Sequence, residues 1–208
     1  MKLRARTSPA LVVVALLAVA GIATVASAQN ILVNGTFEGG DTAGWETFGL
    51  SASSTITVLA GDNGPSEPGT QHAYLDNQAA ALGLGLKQVT PVGSATGGEV
   101  FYSFDLKLDQ ADVGGVVFVE IFAEAEGVGI VGGSGLMGPL WPWNDWVAYT
   151  GSFIAPPTTD FLTFQVTATT GAATGSNCKL RVDNVALWQE GTVAVEATTW
   201  GGVKALFE

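Results

Sequence analysis

The chain has 208 residues, with 8 Lys+Arg against 19 Asp+Glu, 28 Gly, 6 Trp, one Cys and one His. That length allows one domain with a sizeable core, or at a stretch two small ones, and 47% apolar against 13% charged residues excludes a disordered polyelectrolyte. A net charge of −11 argues against nucleic acid or anionic lipid as a partner, and one Cys with one His exclude an internal disulfide and a zinc site.

Residues 1–28 read as a signal peptide. Lys2, Arg4 and Arg6 precede an apolar stretch that starts at Ala10, and Ala26-Ser27-Ala28 fits a small-x-small cleavage pattern. The stretch is close to the lower length limit of a membrane span, so an anchor is the rival reading. Its Ala- and Gly-rich composition and the cleavage pattern favour removal, and no Cys follows the site to carry a lipid. Cleavage sends a chain beginning at Gln29 to the cell exterior, the periplasm or the cell surface, without an integral span. It leaves five basic residues (Lys87, Lys107, Lys179, Arg181, Lys204) against all 19 acids. Secreted acidic proteins meet calcium, a cation that takes hard oxygen ligands.

Residues 29–188 are predicted to form a single all-β domain. Strands are expected at 55–59, 72–76, 84–89, 99–109, 116–124, 147–153, 161–168 and 179–187. The clearest alternate with period two. Val100, Tyr102, Phe104, Leu106 and Leu108 share one face of 99–109, with Phe101, Ser103, Asp105 and Lys107 on the other. Along 116–124 Val117, Val119 and Ile121 oppose Phe118, Glu120 and Phe122, and along 161–168 Leu162, Phe164 and Val166 oppose Thr163 and Gln165. Clusters such as Gly61-Asp62-Asn63-Gly64-Pro65 separate the strands. The mature body has no 3.6-residue period, so the pattern predicts an antiparallel β-sandwich or jelly roll. Residues 127–138 hold six Gly and are expected to be a mobile or tightly turning loop that delivers Trp141, Trp143 and Trp146.

Four motifs carry a resemblance. Asn30-Ile31-Leu32-Val33-Asn34-Gly35-Thr36-Phe37-Glu38 with Gly44-Trp45 opens the mature chain, and Pro68-Gly69-Thr70-Gln71-His72-Ala73-Tyr74-Leu75 follows. Trp146-Val147-Ala148-Tyr149-Thr150-Gly151-Ser152-Phe153 and Val182-Asp183-Asn184-Val185-Ala186-Leu187 come near the end. In this order they resemble the carbohydrate-binding modules of the CBM4/9/22 type, which are galactose-binding-domain-like jelly rolls. The resemblance implies a structural calcium that ties the first strand, an early loop and the last strand together. Carried over by position, its ligands are Glu38 and Asp183, with carbonyls of residues 67–71 and the Glu67 carboxylate. The alternative is that these acids are solvated or hydrogen-bonded in turns.

Sugars present an apolar C–H face and a rim of hydroxyls, so their binders pair aromatic rings with planar hydrogen-bonding groups. Phe101, Phe118, Glu120, Phe122 and Gln165 supply that mixture on strands, unless a loop or second layer covers the phenyl rings. Trp141 and Trp143 either stack on a sugar at the rim or plug the end of the sandwich. Trp45 and Trp146 read as structural. Asn34-Gly35-Thr36 also matches a glycosylation sequon, which the opening motif already accounts for.

No Ser-His-Asp, Cys-His or Gly-x-Ser-x-Gly arrangement is present, and Cys178 reads as a small buried residue. Glu120 and Glu124, the best acid pair, have nothing to split their pKa values. The expectation is therefore not an enzyme but a secreted module that binds a polysaccharide or glycan. The alternative is an extracellular structural or protein-interaction domain on the same scaffold. In the tail, 189–208, Trp200, Val203, Leu206 and Phe207 fall on one side of a short helix, which the alternative uses to attach to a surface protein partner.

Overall fold

The computed structural model describes residues 29–190. The expected signal peptide and the tail residues beyond Glu190 lie outside them. Among the described residues there are eleven strands and no helix, hence no helix long and apolar enough to cross a membrane.

The strands are β1 (Glu46–Phe48), β2 (Ser54–Ala60), β3 (Gln71–Asn77), β4 (Gly83–Val89), β5 (Gly98–Asp112), β6 (Val116–Ala125), β7 (Gly129–Gly133), β8 (Met137–Leu140), β9 (Val147–Ala155), β10 (Phe161–Thr169) and β11 (Asn177–Gln189). They form two antiparallel sheets. The six-stranded sheet runs β1-β4-β10-β6-β7, with β8 also on β6, and the five-stranded sheet runs β2-β3-β11-β5-β9. The molecule is a β-sandwich, as the alternation predicts.

Alternation explains the layering. Every second residue of β6 is buried, from Val117 to Ala125, and the residues between them are half exposed. The inner faces meet in one core, where Phe104 of β5 stacks on Tyr149 at 5.2 Å and meets Phe164 of β10 edge-on at 5.6 Å. Full burial of side chains this size stabilises by about 2–3 kcal/mol each. One polar residue also joins the layers. Buried Asn77 of β3 accepts a hydrogen bond from Ser54 Oγ and donates to the carbonyls of Leu82 and Ala168, which belong to the other sheet's side.

Residues 127–138 are not simply a loop: they contain β7 and the start of β8, two strands that both pair with β6. The glycine at 133 (φ +154) is required there. A Cβ would stand 2.2 Å from the Ile121 carbonyl oxygen, where Ser134 N donates to that oxygen and Ser134 Oγ accepts from Ile121 N.

The two ends of the body lie together. Ile31 N donates to Leu187 O at 2.8 Å, Val185 N donates to Gly35 O at 2.9 Å, and Asn30 Oδ1 accepts from Leu187 N. A register shift in β11 between Asp183 and Ala186, with Asn184 at φ +51, turns Asp183 towards the loop at 61–71.

Candidate functional site

The outer face of the six-stranded sheet gathers most of the expected ligand residues. Phe118, Glu120, Phe122 and Glu124 project from β6 because their neighbours are committed to the core. Register then sets two rows across the strands. Glu46 of β1 lies opposite Lys87 of β4, Lys87 opposite Gln165 of β10, and Gln165 opposite Glu120. Beside it, Phe48 lies opposite Gly85, Gly85 opposite Thr167, and Thr167 opposite Phe118. Lys87 Nζ is 3.0 Å from Glu46 Oε2, and Thr163 Oγ1 donates to Glu124 at 2.5 Å. Sequence reasoning missed Phe48 and Glu46, because three residues carry too little periodicity to declare a strand.

Phe101 is not on this face. Strand β5 pairs with β11 and β9, so Phe101, Ser103, Asp105 and Lys107 belong to the outer side of the five-stranded sheet. There Phe101 stacks on Trp188, with centroids 5.9 Å apart and planes 14° from parallel. Although β5 and β6 are consecutive in sequence, they lie in different sheets, which separates Phe101 from Phe118, Glu120, Phe122 and Gln165.

Trp141 and Trp143 are 47% and 43% exposed, so they do not plug the sandwich. Their ring planes lie within 14° at 6.3 Å. Leu108 N donates to Pro142 O, and Asn144 N donates to Leu108 O, which pins the segment to β5. The segment follows directly on β8, whose Gly138 lies against the Phe118 ring. Trp146 is structural: its Nε1 donates to the Asp62 carbonyl at 2.8 Å. Trp45 Nε1 donates to Asn34 O, and the Asn34 amide donates to the carbonyls of Asp41 and Ala43.

A second cluster lies where the first and last segments meet the 61–71 loop. Glu38 accepts from the amides of Thr70 and Gln71 at 2.7 and 2.8 Å and from Thr70 Oγ1, and these backbone bonds hold its carboxyl below the usual range. Asp183 accepts from Gly64 N and Asn184 N, both at 2.8 Å. Burial pushes its carboxyl up to about 7, against those amide bonds, and Asp105 and Glu38 push the same way. Asp105, expected on an open face, is fully buried and accepts from Ser66 N, Ser66 Oγ and Asn184 Nδ2. Glu67 is exposed. Among the described residues no ion pair reaches Glu38, Asp105 or Asp183, and no three His, Cys, Asp or Glu side chains stand as a ready-made metal cage.

His72 and Cys178 are fully buried. Burial pushes the Cys178 thiol up to about 12, which leaves it without nucleophilic character at neutral pH.

No protein-family model and no curated protein matches the chain. Solved structures do. The family 16 carbohydrate-binding module-2 superposes with a TM-score of 0.52 at 17% identity, over 77% of this chain and 100% of that one. The chain has the jelly-roll fold of carbohydrate-binding modules. The CBM22-1–GH10 portion of Clostridium thermocellum xylanase 10B, complexed with xylohexaose, gives 0.52 at 19% identity, over 77% of this chain and 28% of that one. The enzymatically active domain of tailspike protein 4 of bacteriophage CBA120 gives 0.59 at 13%, over 76% and 21%. This chain therefore spans about a quarter of the xylanase and a fifth of the tailspike chain. At these identities the likeness is one of fold.

Proposed function

We propose that this is a secreted, non-catalytic module that binds a polysaccharide or glycan on the outer face of its six-stranded sheet. One observation carries the reading. Phe118 and Phe122 flank Glu120 on one strand, and Glu120 begins a cross-strand row with Gln165, Lys87 and Glu46. Aromatic faces and hydrogen-bonding groups thus alternate, half-buried, on the strands of one sheet, the mixture that hydroxyl-rimmed rings require. The jelly-roll neighbours named as carbohydrate-binding modules support it. Carboxylate spacing supports the absence of catalysis. Glu120 and Glu124, the acid pair singled out on this strand, are four residues apart, so their backbone positions stand roughly 13 Å apart, wider than the separation of about 5–9.5 Å in glycosidase carboxyl pairs.

The test is affinity electrophoresis and a glycan array with wild type and Phe118→Ala. Retention by at least one glycan, weakened about tenfold or more by the substitution, is expected. Binding to no glycan, together with self-association, would favour the extracellular interaction domain instead.

Calcium is the second part of the proposal. Glu38 and Asp183 are all-oxygen donors at opposite ends of the sequence, joined through one loop, and Asp105 adds a third carboxylate that the motif comparison did not include. Their mutual repulsion and the burial of Asp183 fit a divalent cation on grounds of charge. Amide donors already occupy part of each carboxylate, so the ion would share these oxygens rather than replace their hydrogen bonds. Glu67 is exposed and is left out of this set. Millimolar calcium should raise the melting temperature over EDTA-treated protein, and Asp183→Asn should remove most of the rise. An unchanged melting temperature overturns the calcium proposal.

A further inference from the structure

Two phenyl rings on the proposed face lie down over glycines. At Gly85 of β4 a Cβ would stand 2.3 Å from Phe48 Cζ and 2.8 Å from its Cε1. At Gly138 of β8 it would stand 2.6 Å from Phe118 Cδ1. Each ring therefore occupies the space of a missing side chain, at the two ends of the cross-strand row Phe48, Gly85, Thr167 and Phe118. Thr167, half exposed, lies between them. The tip of Phe48 reaches β4, roughly 10 Å (two strand spacings) from the β6 backbone, and the Phe118 ring leans from β6 towards Gly138 of β8. The result is a low floor at Thr167 with an aromatic ring at each side, next to the hydrogen-bonding row of Lys87, Gln165 and Glu120.

We propose that Phe48 is a second ligand-contacting aromatic residue, and that the space over Thr167 between Phe48 and Phe118 takes one ring of a neutral sugar. The inference rests on the glycan reading and deepens it. Charge selects the class of sugar. The face carries three carboxylates, Glu46, Glu120 and Glu124, against one ammonium, Lys87, which is engaged by Glu46. A uronate chain would bring further negative charge with no free cation among the described residues of this face to meet it, whereas hydroxyls can donate to Glu120 and pair with Gln165. The packing role of Phe48 over Gly85 is real, but it would be met equally by any apolar side chain of similar reach.

That distinction supplies the test. Wild type, Phe48→Ala, Phe48→Leu, Phe118→Ala and Phe101→Ala are compared by affinity electrophoresis on xylan, hydroxyethylcellulose, galactan and alginate, with thermal melts alongside. Both Phe48 variants should lose about tenfold in retention on the neutral glycan that wild type prefers. Phe48→Leu should do so with its melting temperature kept, so a poorly folded Phe48→Ala does not blunt the test. Phe101→Ala, on the other sheet, should bind as wild type, and alginate should retain none of them. If Phe118→Ala loses binding while both Phe48 variants keep it, the role of Phe48 is overturned and the glycan reading stands. Retention on alginate as strong as on the neutral glycans overturns the choice of sugar class. If none of the four glycans retains wild type, the glycan reading fails and Phe48 loses its role with it.

Discussion

Asn77 shows how one side chain can hold two layers in place. Its amide oxygen and nitrogen satisfy Ser54 on its own sheet and the Leu82 and Ala168 carbonyls across the core. Removing it leaves the buried Ser54 hydroxyl without its acceptor and takes a donor from the Ala168 carbonyl, whereas the Leu82 carbonyl keeps its bonds from Thr170. An orphaned buried polar group costs about 1–3 kcal/mol, so Asn77→Ala should destabilise by about that much in a urea titration. A loss below 1 kcal/mol would mean that water enters and replaces the bonds. Nothing in the sequence marked Asn77, because its value depends on partners up to 91 positions away. By contrast, the burial of the alternate residues in β6 was legible from local period-two patterning, and that of Cys178 from the small apolar character of the residue.

At the level of strands and loops, the clasp around His72 on β3 gives a pH signature. Its Nε2 lies 3.3 Å from Arg181 Nη1, and its ring meets Trp146 edge-on at 5.7 Å. Arg181 also pairs with Asp62 and Asp109, Lys107 pairs with Asp62, and Nδ1 has no hydrogen-bond partner among the described residues. Burial, then the Arg181 charge, holds the imidazole below its ordinary 6.5, although Asp62, Asp109 and the Gly61 carbonyl pull the other way. The unfolded chain therefore takes up a proton first. Above about pH 6.5 His72 adds no pH dependence, and below it the folded state loses stability until its own lower pKa is passed. Asp183 titrates in the same range with the opposite sign. Its stabilisation is present below the ordinary carboxyl value of 3.8 and fades as pH rises through about 7. A His72→Phe variant isolates the imidazole: relative to it, wild type should weaken progressively between pH 6.5 and 5. Parallel stability curves would show that the folded clasp accepts the proton freely.

Strands of seven or more residues announced themselves in the sequence, whereas β1, β7 and β8 did not. Gly129–Gly133 and Met137–Leu140 have no alternation to read, and they exist because the edge of β6 offers hydrogen bonds. For the whole molecule, the sandwich was legible because every long strand has one apolar side. Sheet membership was not. Strands β5 and β6 show the same alternation, and only the order β3-β11-β5 against β10-β6 separates Phe101 from Phe118. Period-two patterning therefore gives the outward side chains of each strand but not which outward sides share a sheet, and the three residues of β1 carry too little pattern to be read as a strand.

The pairing of Ile31 with Leu187 has a topological consequence for engineering. Since entry and exit run side by side, a short Gly/Ser linker from residue 189 to residue 30 closes the backbone into a ring with little distortion. New termini then fit at Gly127, where φ is +71 and the surroundings are open. Such a circular permutant should keep a cooperative melt and the wild-type circular dichroism spectrum. Collapse of the permutant would mean that the order in which the strands are delivered, and not only their final neighbours, governs assembly of this sandwich.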